Sequence, residues 1–124
     1  MNIALWAVQI LLALMFLMAG FAHASGRDNG RKGMEWLKAI PAGQLRAIGI
    51  LEMLAAVGLV LPAATGILPW LTPLAATGLV ILMVGAAVFH LRRPGENGLA
   101  VFNIVLGLLA LFVAYGRFVL EPIS

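Results

Sequence analysis

The chain of 124 residues contains no cysteine. That excludes disulfides, thiol redox relays, iron–sulfur clusters and thiolate metal sites together, so any redox role needs a diffusible or bound cofactor. Charge is scarce: only 10% of residues are charged, against about 25% in an average soluble chain. Between Ala47 and Leu91 the one charged residue is Glu52, and Met1–Gly26 and Asn97–Gly116 carry none. A soluble domain of this length needs charge on nearly every helix. No aromatic-interleaved basic patch is present, which argues against a nucleic-acid partner. No nucleophile sits beside a base, and no glycine loop cradles phosphate. No HxxxH or HxxE spacing holds two metal ligands on one helical turn, so a metal site through His23, His90 and Glu52 has little support. The two histidines could ligate haem axially, but both lie near one membrane face and no haem motif accompanies them. No catalytic residue is assigned, and a self-sufficient oxidoreductase is disfavoured.

What the chain does have is apolar length. Hydrophobic residues make up 63% of it, with a mean hydropathy of +1.06. Runs of about 18 or more apolar residues can cross a hydrocarbon core roughly 30 Å thick. The expected fold is all-α, an integral membrane four-helix bundle, with residues 1–124 forming a single transmembrane domain. The spans are placed at 3–24, 45–61, 72–90 and 98–118. A short interfacial helix is expected at 34–40, with Met34 and Leu37 toward lipid and Lys38 toward headgroups. Pro62-Ala63-Ala64-Thr65-Gly66 reads as a tight turn after the second span. Ala22-His23-Ala24 resembles a signal-peptide cleavage site, but no basic residue precedes the apolar run, so the segment is read as a retained first span.

Basic residues set the orientation. The first connection holds Arg27, Arg31, Lys32, Lys38 and Arg46, the third holds Arg92 and Arg93, and the second holds none. These seven, against Arg117 alone, place connections one and three in the cytoplasm and both termini outside. Trp6, Trp70 and Tyr115 then fall near the outer interface and Trp36 near the inner one.

In lipid, helices associate through small residues and interhelical hydrogen bonds. Each span offers an inward stripe: Gln9, Ala13, Phe16, Gly20 and His23; Gly49, Glu52 and Ala56; Thr72, Ala76, Leu79, Met83, Ala86 and His90; Asn103, Gly107, Ala110 and Ala114. Four polar residues fall in the cytoplasmic half: Glu52, His23, His90 and Asn103. Arg46, Arg92 and Arg93 ring the entrance, suited to anions or headgroups. A carboxylate at the depth of Glu52 costs roughly 2.5–3.5 kcal/mol and is by default a functional candidate. The competing reading is a structural hydrogen bond, to Gln44, Arg46 or Asn103. A direct Glu52–His90 bond would need His90 to reach inward or a water to bridge. Each histidine alone suits a helix C-terminus, where imidazole is favourable.

These elements resemble the DoxX-like family of small bacterial four-span membrane proteins. The matching stretches are Phe16-Leu17-Met18-Ala19-Gly20, Arg46-Ala47-Ile48-Gly49-Ile50-Leu51-Glu52 and Gly58-Leu59-Val60-Leu61-Pro62 with Thr65-Gly66-Ile67. Trp70-Leu71-Thr72-Pro73-Leu74-Ala75-Ala76 follows, then His90-Leu91-Arg92-Arg93 with Glu96, and Asn103. The family pattern leads to a basic residue, usually lysine, at the end of the first span, where this chain has His23. The resemblance implies an inner (cytoplasmic) membrane protein tied to respiratory or quinone chemistry. The expected role is therefore an accessory subunit of a membrane redox assembly. It would have a redox-protein partner and a small polar pocket taking a quinone, with Glu52, His90, His23 and Asn103 as ligand or proton-relay groups. No covalently bound cofactor is expected. The small-residue stripes allow a homo-oligomer, and a dimer is suspected. Two other readings stand beside this one: a small proton-coupled transporter or lipophilic-solute binder, and a scaffold without a ligand.

Overall fold

The structure is a computed structural model that describes residues 1–25 and 40–120. Four α-helices follow one another: α1 (Asn2–Ser25), α2 (Ala42–Thr65), α3 (Leu71–Leu91) and α4 (Asn97–Tyr115). A π-helical turn, Gly116–Leu120, continues α4. All four helices are long and apolar enough to cross a membrane. At 1.5 Å per residue, the 21 residues of α3 span about 32 Å, a hydrocarbon core's thickness. The chain is a multi-pass membrane protein. Segment 34–39 of the expected interfacial helix lies outside the described residues, as do Trp36 and the cations Arg27, Arg31, Lys32 and Lys38.

Only about a third of each span is buried inside the bundle. The remainder presents residues such as Met18, Leu54, Ile81 and Leu108 outward, as a lipid solvent allows. The helices pair as two hairpins, α1 with α2 and α3 with α4. The hairpins join mainly through α2 and α3, and α4 touches α1 only lightly. Leu12, Phe16, Ala56, Leu59, Ala76, Leu79, Met83 and Ala110 form the central core.

The inward stripes are largely as expected, with instructive departures. Leu12 is buried where Ala13 was expected, and Ala87 where Ala86 was. On α4 the buried positions are Ala100, Leu106, Ala110, Val113 and Ala114, while Asn103 and Gly107 are half-buried. Leu5, Leu12, Leu59 and Leu79 are essentially fully buried. Small residues serve where two helices touch; large ones fill the space where four helices diverge.

The turn expected at 62–66 is instead helix. α2 runs through Pro62 to Thr65, and Gly66 closes it in a left-handed conformation with φ 72°. Glycine accepts that backbone without a Cβ penalty. Pro62 brings no N–H, so the carbonyl four residues earlier, on Gly58, loses its helical donor. The hydroxyl of Thr72 on α3 donates to that oxygen at 2.9 Å. A Cβ on Gly58 would come within 2.9 Å of the Ala75 Cβ. The bare glycine is what lets α3 approach closely enough for the repair. At the other boundary, α4 ends at Tyr115 and the π-helical turn carries the helix on to Leu120, so the fourth span, expected to about Phe118, runs from Asn97 to Leu120.

Candidate functional site

The charged groups within the bundle separate to its two ends. The histidine end gathers the C-termini of α1 and α3 and the N-termini of α2 and α4. It begins with the crossing of α1 and α2 at Gly20 and Gly49. A Cβ on Gly49 would lie 2.5 Å from the Gly20 carbonyl oxygen and 2.6 Å from the Ala24 nitrogen, and a Cβ on Gly20 would lie 2.5 Å from the Gly49 oxygen. The backbones therefore touch, and neither position admits a side chain. The two helices run antiparallel, so Glu52 and His23 flank the crossing from opposite sides: Glu52 packs beside Gly20, its Cβ 3.0 Å from where a Cβ on Gly20 would lie, and His23 directly precedes Ala24, which lies against Gly49. His23 Nδ1 and Glu52 Oε1 are 2.8 Å apart. The glycine crossing thus sets the distance of the pair.

A proton lies between the two groups in either hydrogen-bonded form. Nδ1–H donates to an ionised carboxylate, or a protonated carboxyl donates to Nδ1. Taken together the pair can be neutral, which lowers the desolvation cost of placing it inside a membrane bundle. The Glu52 side chain is 5% exposed and that of His23 13%, so the imidazole is the partner that reaches the surface. Glu52 thus pairs with none of Gln44, Arg46 and Asn103, nor with His90.

His90 is engaged elsewhere. Its Nδ1 lies 2.8 Å from Glu96 Oε1, and Arg93 Nε donates to Glu96 Oε2 at 2.7 Å. Arg93 also lies over the Phe89 ring, 5.5 Å from its centroid. The α3–α4 turn is short enough to fold Glu96 back on the last turn of α3. Desolvation pushes the Glu96 carboxyl up, but hydrogen bonds from His90 and Arg93 and their charges outweigh it and hold the group below its ordinary value. The expected ring of three arginines is therefore partial: Arg46 and Arg92 are exposed, while Arg93 belongs to the turn. Asn103, the fourth residue expected to join the polar group, instead lines a groove between α3 and α4 beside Val84 and Gly107. Among the described residues, no three of His, Cys, Asp and Glu come together as a metal site would require.

The opposite end holds a network that residue-type reasoning missed. Arg117 is 3% exposed. Its Nε donates to Gln9 Oε1 at 2.6 Å and its Nη1 to Asn2 Oδ1 at 2.8 Å. The guanidinium lies 5.6 Å from the centre of the Trp6 ring, within cation–π range. Gln9 Nε2 in turn donates to the Leu59 carbonyl at 2.6 Å. One amide thus ties α1, α2 and the π-helical turn together. The signal was present in the sequence, as Gln9 is the one polar residue in the first half of its apolar span. Arg117 entered the sequence reading only as the single basic residue weighed against the seven of connections one and three.

Two polar layers, a His–carboxyl pair at a glycine crossing, and four apolar helices now stand together. The DoxX-like family profile matches residues 7–113. The chain belongs to the DoxX-like family. No curated protein matches it, and no solved structure does. The match takes in α2 and α3 whole and nearly all of α1 and α4, so His23, Glu52, His90, Glu96 and Asn103 all lie inside it. Arg117 lies beyond it.

Proposed function

We propose that this DoxX-like protein is an accessory subunit of a quinone-linked membrane redox assembly, in which the His23–Glu52 pair hydrogen-bonds an oxygen of the quinone ring. The reading places the chain in a bacterial cytoplasmic membrane as a dimer. The histidine end faces the cytoplasm and both termini lie outside, following the basic residues of the first and third connections. The observation that carries it is the 2.8 Å contact between His23 Nδ1 and Glu52 Oε1, built on a crossing that tolerates no side chain.

The chemistry fits a quinone in two respects. A quinone oxygen accepts a hydrogen bond and a quinol hydroxyl donates one; an imidazole paired with a carboxyl offers either partner by moving one proton. Its more exposed member, His23, is where a headgroup would dock. The chain has no cysteine to hold an iron–sulfur cluster or a thiol relay, and this reading draws the electrons from a partner protein.

The scaffold reading draws on the same bond, since it also pins α1 to α2. Thermal unfolding in nanodiscs separates the two, with short-tailed quinones and quinols added to wild type and to Glu52→Gln. A ligand that binds only the folded state at about 100 times its Kd stabilises it by about 2.7 kcal/mol. The redox reading predicts a ligand-dependent rise in wild-type Tm that Glu52→Gln loses. Equal curves with and without ligand, beside a lower Tm for the variant, identify a scaffold. A pH-driven flux in liposomes that disappears in Glu52→Gln identifies a transporter.

A further inference from the structure

We infer that the outer groove between α3 and α4, with Asn103 at its histidine end, is the surface on which a second copy of this chain docks. The inference rests on the dimeric part of the proposed function and needs none of its quinone chemistry.

Asn103 is half-buried. Among the described residues its amide makes no hydrogen bond. It lies six residues from the start of α4, about 9 Å along the helix. The span from Asn97 to Leu120 has 24 residues, roughly 36 Å, and overshoots a 30 Å core by about 3 Å at each end. The amide therefore sits roughly 6 Å inside the hydrocarbon, below the level of lipid carbonyls. Acyl chains offer it no partner, and an amide left unsatisfied there is costly.

The groove it opens into is apolar, about 270 Å³ in volume, and includes Val84, Val88, Ile104, Gly107 and Leu108. Ile104 and Leu108 are 45% and 60% exposed. A second copy meets both demands at once. Two chains inserted in the same orientation are related by an axis normal to the membrane, which keeps every residue at equal depth. Asn103 of one copy thus faces Asn103 of the other in register. A carboxamide is its own complement: each oxygen accepts from the other's NH₂. Isologous closure needs one self-complementary patch, and the groove leaves room for the partner's Ile104 and Leu108. Interhelical amide bonds of this kind drive helix association in lipid.

The absence of native cysteine gives a clean test with the full-length chain in liposomes. Ile104→Cys and Leu108→Cys are oxidised beside Leu14→Cys, which lies 57% exposed on α1. Disulfide-linked dimers are expected through the groove positions and not through Leu14→Cys. Dimer fraction is also counted by single-molecule photobleaching at falling protein-to-lipid ratio. Asn103→Leu should weaken dimerisation about 3- to 30-fold, with Asn103→Gln retaining most of it. A chain that is monomeric at every ratio overturns the inference, as do equal cross-linking through Leu14→Cys and an Asn103→Leu dimer of wild-type strength. In those cases the groove is left to lipid or another protein. A missing quinone effect on Tm leaves this result untouched, and a monomeric chain leaves the quinone chemistry untouched, so the two fail separately.

Discussion

Gly49→Ala should damage the His23–Glu52 pair without touching either residue. The new Cβ would stand 2.5 Å from the Gly20 oxygen and 2.6 Å from the Ala24 nitrogen, where ordinary contact begins at 3.4 Å. Both obstacles are backbone and cannot rotate aside. The helices must then separate by about 0.9 Å at the crossing. Because His23 and Glu52 reach across that same crossing, the shift stretches the 2.8 Å bond to roughly 3.7 Å, outside hydrogen-bond range. Overpacking costs about 1–3 kcal/mol and loss of a charge-assisted bond about 1.5–3 kcal/mol. The better helix propensity of alanine offsets about 1 kcal/mol. The expected net loss is roughly 1.5–5 kcal/mol, read by reversible unfolding in mixed micelles. In a Glu52→Gln background the cost should shrink, because part of what Gly49→Ala destroys is already weakened. Gly78→Ala is the control: nothing lies within 4 Å of its added Cβ, so stability should hold or rise by up to about 1 kcal/mol. A Gly49→Ala protein as stable as wild type would refute the crossing as the device that sets the pair. An unchanged cost in the Glu52→Gln background would refute the link between crossing and site.

Three further outcomes follow from the same contacts. Thr72→Val should cost about 1–3 kcal/mol by orphaning the Gly58 carbonyl. Adding Pro62→Ala should recover most of that loss, since an alanine there would supply the missing N–H; the double-mutant unfolding cycle measures the coupling. Glu96 is held below its ordinary value of 4.5, so its contribution to stability is present above that pH and lost as pH falls through the folded-state value. Tm should therefore decline on acidification below about 4.5, less steeply in Glu96→Gln. Arg117→Lys should not rescue the opposite end, because an ammonium cannot reproduce the fork that serves Gln9 and Asn2. A loss of roughly 1–3 kcal/mol in unfolding experiments, with faster proteolysis after Gly116, is expected, and wild-type behaviour would count against the network.

The legible part of this protein was the part governed by solvent. Four long apolar runs, with charge gathered in the first and third connections, read as spans, and 3/4 spacing placed Gln9, Phe16, Gly20, Glu52, Ala56 and Met83 on inward faces. Burial of Glu52 followed from the cost of exposing a carboxyl to lipid. Its partner was less legible. Helical periodicity gives a residue's face but not the crossing point of two helices, so the partners weighed for Glu52 were Gln44, Arg46, Asn103 and His90, and His23 was not among them. The crossing was written in Gly20 and Gly49, but which residues of an antiparallel pair meet across it is fixed only once the two helices are known to touch there. Pro62 misled for a related reason. Proline forbids a donor, not a helix, and the acceptor it strands is rescued by Thr72 on another span. Arg117 served the sequence reading only as a charge on the outer side, and only the bundle shows Gln9, Asn2 and Trp6 converging on it.

The central claim is that the His23–Glu52 pair receives a quinone headgroup, and photolabelling tests it most directly. A photoreactive quinone with a short tail is irradiated with the full-length protein in nanodiscs, and the modified peptides are mapped by mass spectrometry. The account predicts labelling concentrated around Gly20–Ala24 and Gly49–Met53, displaced by excess unlabelled quinone and lost in Glu52→Gln. Labelling spread evenly over the lipid-facing residues of all four helices, indifferent to competitor and to the substitution, would contradict it.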